Sequence, residues 1–496
     1  MAKIKKIYIP VSEFRKSHPI GIVCSTDATY ANIANELYIA MERYFDGWIT
    51  PKHIRNVAIG LTGWLEDYCS NLHLWDVMMK NYCEFFGKQI PFYPETNDEH
   101  QRFVNDLRLA LWLCVQAERD ETIVNPENER LELLTTEIAM NWISKGYFTD
   151  EKLNNVDLFD YLYCEEVQTD IMQVKNVLMW IERKCYLGHW FVKEDSTAEE
   201  AKEVGMTLDQ LKYGNNSVAA FASRTWPVSM LSKDIYADMI RMEMLDDKDE
   251  YAHEIASIEY KAMSMCLVQR WDKEHLWIED FHGDVFLANR DSFQNLTDNN
   301  LKKNSNVLSA FVKFRGEWSS IGLSMWYEYK EKAWKDVCED NLRKYELMHA
   351  DGQYDYFIRK HRGKRLYFFK DSAEYRDWLI NDLGLQPEGL QVPFNQNKLA
   401  VFFESNGQMT ISELGDIINA RDNKYYNREK ALANAMAFVM SSEACSPDCL
   451  KYMIEKNYLK DARLKSTEGD SHGHILAQEN LQFLACCLRR DLDWVR

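Results

Sequence analysis

The hydrophobic periodicity of this chain changes near Glu259, and that change constrains the fold more than any other feature. Before it, apolar residues recur every three or four positions, which is typical of one face of a helix. After it, the segment MCLVQRWDKEHLWIEDFHGDVFLANRDSF alternates apolar and polar residues, which is typical of half-buried strands. Helical and strand patterns are segregated along the chain, which predicts the α+β class rather than a doubly wound α/β sheet.

The N-terminal half is predicted to be helical. One apolar stripe consists of Phe103, Leu107, Ala110 and Cys114, and a second of Val167, Ile171, Val174, Leu178, Ile181 and Cys185. Between the stripes, Asn125 and Pro126 precede acidic residues, which predicts a helix with Asn125 as its N-cap and Pro126 at its first position. With 496 residues the chain is long enough for about three domains, and we expect the first to span 1–248.

A small antiparallel β module is expected at 249–330. Turn-forming residues interrupt its alternating segment at 272–274 and at 282–284, as between the strands of hairpins. A further strand pair is predicted in LSAFVKFRGEW and SIGLSMWYE. Several short strands at this spacing predict a small barrel-like or curled sheet.

The C-terminal region, 331–496, is expected to combine helices with two β-hairpins. A charged helix begins it, and a hairpin is predicted to turn at Arg362 and Gly363. A second hairpin is predicted at Asn406 and Gly407, because Asn-Gly is the strongest short hairpin signal.

Charge and apolar content limit the partners and the compartment. The chain has 59 Lys and Arg against 78 Asp and Glu, a net charge of −19, which disfavours non-specific attraction to nucleic acid or anionic lipid. The longest strongly apolar run, 109–115, is far shorter than the roughly 20 residues of a membrane span. The N-terminal lysines lack the apolar stretch of a signal peptide. We therefore expect a cytoplasmic protein with no membrane partner, in which the 12 cysteines are free thiols.

No short motif in the sequence identifies a chemistry. The phosphate-binding patterns GxxxxGK[ST] and GxGxxG and the serine-hydrolase pattern GxSxG are absent. His253 and Glu254 begin like a zinc-protease helix, but Ser257 stands where the second histidine would be needed. We therefore expect no cofactor, and the sequence leaves open whether the protein is an enzyme.

The most distinctive local charge is a run of cations at the first predicted hairpin. Its members are Arg359, Lys360, Arg362, Lys364 and Arg365, and aromatic residues bound it on both sides. A basic ribbon of this kind can neutralise phosphates and stack bases, which predicts a nucleic-acid site. The alternative is a solvated turn, or one whose cations pair with acidic groups of a neighbouring region.

Two histidines near the C-terminus form a candidate metal site. His472 and His474 follow Glu468 and Asp470 on a predicted loop, and imidazoles with carboxylates can hold zinc or manganese. The alternative is an acidic loop that is simply solvated.

Cys449 is a candidate reactive thiol. Ser446 is predicted to cap a helix in whose first turn Cys449 falls, where the helix dipole favours a thiolate. The alternative is that Cys445 and Cys449 are apolar residues packed beneath the start of the helix.

Several segments, in order, resemble a known family. They are NDLRLALW and NPENERL, FRGEW in the β module, and then DNKYYNREKA, ACSPDCLKYMIEKNYLKDARL and QENLQFLACCLRR. Together they resemble an uncharacterised family of gut-bacterial proteins known only as a domain of unknown function. The resemblance covers 105–490 and is strongest toward the C-terminus. The family usually has proline where Lys424 stands here, so no turn geometry is carried over. The resemblance implies a bacterial cytoplasmic protein and assigns no catalytic residue.

The sequence favours a non-catalytic binding or scaffold protein whose partner is another protein. This expectation rests on the missing motifs and on the many aromatic residues in short strands. The first alternative is a nucleic-acid-associated protein that uses the basic hairpin. The second is a metal-dependent hydrolase with its metal near His472 and His474.

Overall fold

Helices dominate the first half of the structure and the longer strands follow from residue 259, which confirms the α+β class. The computed structural model describes residues 9–119, 123–188, 196–203, 205–293, 296–297, 301, 305–348, 361–382, 384, 397–405, 409–489 and 492. The chain divides into two compact units, Met1–Glu339 and Asp340–Arg496. The regions expected at 1–248 and 249–330 both lie in the first unit.

The helices before the first long strand are amphipathic and bury their apolar faces against one another. They are α1 (Val11–Phe14), α2 (Asp27–Phe45), α3 (Pro51–Ser70), α4 (Leu74–Phe86), α5 (Glu99–Ala117), α6 (Glu129–Ser144), α7 (Val156–Tyr163), α8 (Glu165–Thr169), α9 (Ile171–Arg183), α10 (Ala198–Glu203), α11 (Leu208–Ala222), α12 (Ser232–Met244) and α13 (Glu250–Ala256). Short 3-10 turns lie at Arg15–Ser17, Tyr147–Thr149 and Glu151–Leu153. None of the helices in the described part of the chain has the length and apolar character that a membrane span requires.

Helix α6 begins later than the sequence predicts. Asn128 is its N-cap, because its side chain accepts the backbone N–H of Arg130 at 3.0 Å. Asn125 instead accepts the N–H of Glu127 at 2.9 Å and closes a turn ahead of the helix. The prediction of Asn125 as the cap was therefore wrong, because two asparagines compete in this segment and the later one starts the helix.

The first unit also contains a ring of five strands. They are β3 (Glu259–Trp271), β4 (His275–Glu279), β5 (Val285–Asn289), β6 (Asn306–Phe314) and β7 (Glu317–Tyr327), after the short pair β1 (Arg224–Thr225) and β2 (Met230–Leu231). The order β3-β4-β5-β7-β6 closes because β3 pairs with both β4 and β6. The link between β5 and β7 is one parallel pair, Ala288 opposite Trp318.

The turns of the β module follow the turn residues in the sequence. Strand β3 ends before 272–274 and β5 begins after 282–284, as predicted. The β6–β7 turn lies at Arg315 and Gly316, with φ of 51° and 86°. Positive φ at both central positions matches the right-handed twist of the flanking strands, so the chain reverses here rather than after Trp318.

Helix α11 packs closely against strand β7 at two glycines. A Cβ on Gly214 would lie 2.3 Å from Leu323 Cγ, and one on Gly322 would lie 2.7 Å from Val218 Cγ2. The helix and the strand can therefore approach this closely only because both positions lack a side chain.

The second unit is built on a three-stranded antiparallel sheet. Its strands β8 (Leu366–Asp371), β9 (Asn397–Phe403) and β10 (Met409–Ser412) lie in the order β10-β9-β8. The helices around the boundary and beyond are α14 (Glu331–Met348), α15 (Ser372–Asn381), α16 (Arg428–Met440), α17 (Pro447–Glu455), α18 (Asp470–Glu479) and α19 (Leu481–Leu488). Antiparallel pairing of β9 with β10 confirms the second predicted hairpin. Residues 354–359, the first strand of the other predicted hairpin, lie outside the described residues.

Candidate functional site

The candidate site lies in the first unit, where the turn after α1 meets α3 and α9. Trp180 of α9 donates a hydrogen bond of 2.7 Å from Nε1 to the carbonyl of Ser17. Phe14 packs edge-on against the imidazole of His18, with ring centroids 5.4 Å apart. These contacts hold the His18 side chain in the interior, where the residue is 2% exposed.

His18 lies between two buried carboxylates. Its Nε2 is 2.9 Å from Glu66 Oε2 on α3, and its Nδ1 is 3.3 Å from Asp27 Oδ1 at the start of α2. Burial lowers the pKa of His18, but the charge of Glu66 and the polar contacts with Asp27 and Cys24 raise it well above its usual value. With no metal ion bound, the two neighbouring carboxylates therefore favour the protonated form of the imidazole.

Further hydrogen bonds fix both carboxylates. Asn155 Nδ2 donates to Glu66 Oε1 at 2.7 Å. Arg15 Nε donates to Asp27 Oδ2 at 2.7 Å, and the backbone N–H of Cys24 donates to the same oxygen at 3.2 Å. The cluster thus joins the segment before α2, the C-terminal part of α3 and the start of α7 into one polar network.

His18 and Glu66 also form part of the wall of a cavity of about 210 Å³. Much of the remaining wall is apolar and includes Ile59, Leu72, Leu74, Leu158, Trp180 and Tyr186. Pockets for drug-sized ligands measure roughly 300–1,000 Å³, so this cavity suits a smaller molecule with an apolar body.

The charged groups on the cavity wall differ in their pairing. Glu13 forms an ion pair with Arg55. Lys184 and Lys16 also lie on the wall, and neither forms an ion pair with any residue that the structure describes. Lys184 is half-buried, and this burial lowers the pKa of its amine. The cavity wall therefore presents two amines that form no ion pair with a described residue, although Glu66 and Glu118 also line it.

The basic hairpin predicted from the sequence is only partly described. Arg359 and Lys360 lie outside the described residues. Arg362 is exposed at the turn, whereas Lys364 Nζ lies 2.6 Å from Asp422 Oδ2. Arg365 forms an ion pair with Asp448 and stacks on Phe402, with its guanidinium 4.5 Å from the ring centroid. Lys364 and Arg365 are therefore both paired with carboxylates of the second unit. This agrees with the alternative hypothesis, in which the cations of the turn pair with acidic groups.

His472 and His474 lie on helix α18 and not on the loop that the sequence predicts. The helix begins at Asp470. Leu476 and Ala477 are buried on one of its faces, and burial of an apolar face stabilises a helix in this segment. Residues two apart on a helix are rotated by about 200° about the helix axis and so point in nearly opposite directions. The helix therefore does not bring these two imidazoles together. His472 Nδ1 lies 3.6 Å from Glu468 Oε2, one turn earlier.

Cys449 lies where the sequence places it, in the first turn of α17. Ser446 is the N-cap and accepts the Cys449 N–H at 3.3 Å, which confirms the predicted cap. The thiol is buried, and burial raises its pKa well above the usual value, with Cys445 adding to the shift. This environment favours the packing alternative over a reactive thiolate.

Sequence reasoning missed His18, Glu66 and Lys184, because they come from separate segments that match no motif. One signal was present: Glu66 and Asp67 interrupt the apolar face of α3 and are both buried. Adjacent acids inside a helical stripe are rarely buried without partners, and they therefore mark a polar site inside the fold.

The chain matches a family described as a protein of unknown function, DUF3843, over residues 6–263 and 322–490. The unmatched segment between them carries β4, β5, β6 and most of β3. No curated protein and no solved structure matches the chain. The match confirms the resemblance seen in the sequence and covers most of its length. The chain therefore belongs to the DUF3843 family of proteins of unknown function.

Proposed function

We propose that this protein binds a small organic acid in the cavity of its first unit. The observation that carries the proposal is the position of Lys184. Its amine lies on the wall of a largely apolar cavity, is half-buried, and has no ion-pair partner among the described residues. Because a buried charge without a counter-ion is costly, a ligand carboxylate would stabilise this ammonium.

The remaining wall limits the ligand to a small acid with an apolar body. Ile59, Leu158 and Trp180 supply apolar and aromatic surface. The polar pair His18 and Glu66 gives the ligand one further place to form a hydrogen bond. A cavity of about 210 Å³ accommodates a monocyclic aromatic or a branched aliphatic acid more readily than a nucleotide.

The first experiment compares acids with their uncharged amides by thermal unfolding. Benzoate and phenylacetate are the charged probes, and benzamide and phenylacetamide are their neutral counterparts. Binding stabilises the folded state by about 2.7 kcal/mol when the free ligand exceeds its Kd a hundredfold, so an acid that binds raises Tm measurably. We expect the acids to raise Tm and the amides to leave it unchanged.

A matched pair of variants assigns the effect to the cavity. Lys184→Met keeps most of the unbranched side chain and removes its charged amine, and we expect acid affinity to fall about tenfold or more. Lys52→Met is the control, because Lys52 is exposed on α3 and does not line the cavity. Wild-type protein that responds to none of the acids, or equal binding by Lys184→Met, would contradict the proposal.

A protein partner is a second candidate function, favoured by an exposed apolar face on α6. Leu133, Met140 and Ile143 are 51%, 68% and 47% exposed, respectively, and lie along one side of that helix. The test is capture from lysate in the presence of nuclease. A captured protein that Met140→Lys releases and Met244→Lys retains would support this role, and identical capture by both variants would exclude this face.

A further inference from the structure

Three side chains with metal-binding atoms meet at the Nδ1 side of the His18 imidazole, opposite the Nε2 atom that contacts Glu66. They are His18, Cys24 and Asp27, and their ligand atoms all lie within 4.8 Å of one another. All three residues are buried, with exposed fractions of 2%, 5% and 2%, respectively. The segment 18–27 carries all three, so the chain forms the cluster where it turns into α2.

The spacing of these atoms fits a tetrahedral zinc ion. His18 Nδ1 lies 3.8 Å from Cys24 Sγ and 3.3 Å from Asp27 Oδ1. Zinc binds thiolate at about 2.3 Å and imidazole or carboxylate at about 2.0–2.1 Å, so tetrahedral angles place these atoms roughly 3.5 Å and 3.3 Å apart. A single ion can therefore reach all three without a large movement of the chain.

One oxygen of Asp27 provides an independent indication of a site for a cation. Its Oδ1 is buried and accepts no hydrogen bond from the described residues, although it lies near His18 Nδ1. Its other oxygen, Oδ2, already accepts from Arg15 Nε and from the Cys24 N–H. Arg15 and the backbone thus orient Asp27 so that one oxygen is left for a cation in the cluster.

His18 is oriented in the same manner. Its Nε2 lies 2.9 Å from Glu66 Oε2, and Asn155 fixes the opposite oxygen of Glu66 at 2.7 Å. A carboxylate that accepts the Nε2 proton leaves Nδ1 free to bind a metal, which is the arrangement of carboxylate–histidine–zinc sites. Glu66 and Asn155 would therefore be the outer partners of the ion.

We propose that His18 Nδ1, Cys24 Sγ and Asp27 Oδ1 bind a zinc ion that ties the segment before α2 to the helical core. Binding displaces the Nδ1 proton and the Cys24 thiol proton to solvent, so the ligands are a neutral imidazole, a thiolate and a carboxylate. The net charge of the site is then zero: the divalent ion and Arg15 carry three positive charges, and the thiolate and the two carboxylates, including that of Glu66, carry three negative charges. The cluster contains no fourth His, Cys, Asp or Glu among the described residues, so water would complete the tetrahedron. His18 belongs both to this site and to the wall of the proposed acid-binding cavity, but the evidence for the zinc ion does not rest on an acid ligand.

The test is elemental analysis of the full chain, purified without chelator and without a metal-affinity tag. We expect about one zinc per chain for the wild-type protein and an at least roughly tenfold lower content for Cys24→Ser and Asp27→Asn. Cys164→Ser is the matched control, because Cys164 is half-buried in the same unit at a helix cap, where serine is well tolerated. Zinc content must remain unchanged in that control.

Cobalt(II) provides a second measurement that needs no variant. After the native metal is removed, we expect the wild-type chain to take up cobalt and to show the visible bands of a tetrahedral site with thiolate charge transfer. This result supports the proposal even if Cys24→Ser fails to fold. A folded wild-type chain that contains no zinc and takes up no cobalt overturns it and leaves a proton on His18 Nδ1. Equal zinc loss in Cys164→Ser, or cobalt bands without thiolate charge transfer, also overturns it.

Discussion

Tyr186 donates a hydrogen bond of 2.7 Å from its hydroxyl to Asp67 Oδ2, and so ties the segment after α9 to the interior of α3. The same oxygen accepts the backbone N–H of Trp75 at 2.8 Å, and Asp67 Oδ1 accepts that of Leu74 at 3.2 Å. Asp67 therefore links the end of α3, the start of α4 and one wall of the cavity. Burial raises the pKa of this carboxyl to about 7, although these hydrogen bonds lower it.

Asp67 is expected to make stability fall as pH rises from about 4 to about 7. An unfolded aspartate titrates near pH 3.9, so between about pH 4 and 7 the folded state binds more protons than the unfolded state. The stabilisation from neutral Asp67 is complete below that window and is lost as pH rises through about 7. Chemical denaturation at about pH 5 and pH 8 should show a smaller pH dependence for Asp67→Asn than for wild type. Asp46→Asn, at an exposed site, should retain the wild-type dependence.

Gly214→Ala is expected to destabilise the first unit, although alanine is the better helix former. The new Cβ would lie 2.3 Å from Leu323 Cγ, which forces α11 away from β7. Overpacking costs roughly 1–3 kcal/mol and alanine gains about 1 kcal/mol in a helix, so we expect a net loss of up to about 2 kcal/mol. Gly63→Ala is the matched control in α3, because the nearest atom would be Tyr186 Cβ at 3.4 Å. Urea unfolding of both variants measures the difference, and equal stability would contradict close α11–β7 packing.

Arg365→Lys is expected to destabilise the second unit although it conserves charge. Arg365 Nε donates to the Phe403 carbonyl at 2.9 Å while its guanidinium pairs with Asp448 and stacks on Phe402. Lysine cannot reproduce the fork or the stacking, so we expect a loss of about 1–3 kcal/mol. Arg362→Lys, at the exposed turn, should be neutral within about 0.5 kcal/mol. If the basic run instead acts only through its charge, both variants will have wild-type stability.

Cys449 is expected to resist alkylation in the native protein. Burial raises the pKa of its thiol, so little thiolate is available to react. Cys83 is exposed on α4 and should be labelled first by iodoacetamide at about pH 8. Peptide mass spectrometry with time reports each site, and denaturant should make both cysteines equally reactive. Fast labelling of Cys449 in the native protein would contradict this expectation and support the hypothesis of a reactive thiol.

Local patterns predicted much of the fold, because turns and caps depend on neighbouring residues. The breaks at 272–274 and 282–284 and the cap at Ser446 are local signals, and the structure confirms them. The apolar stripe at 167–185 was less informative. Asp170 caps α9 by accepting two backbone N–H groups and so separates it from α8, which apolar spacing alone does not reveal.

The candidate site could not be predicted in the same manner. His18, Glu66 and Asn155 meet through packing of segments far apart in the chain, and no short pattern encodes such a meeting. Lys184 is one of many lysines in the sequence. Only its half-buried position on the cavity wall distinguishes it.

The close packing of α11 on β7 also has a consequence for synthesis of the chain. Gly214 leaves the ribosome before Leu323, its packing partner, by about a hundred residues. At roughly 5–20 residues per second this interval is on the order of 5–20 s. Throughout this interval the face of α11 that β7 covers in the folded protein stays exposed. We therefore expect this face to be accessible to chaperones and proteases until β7 has emerged.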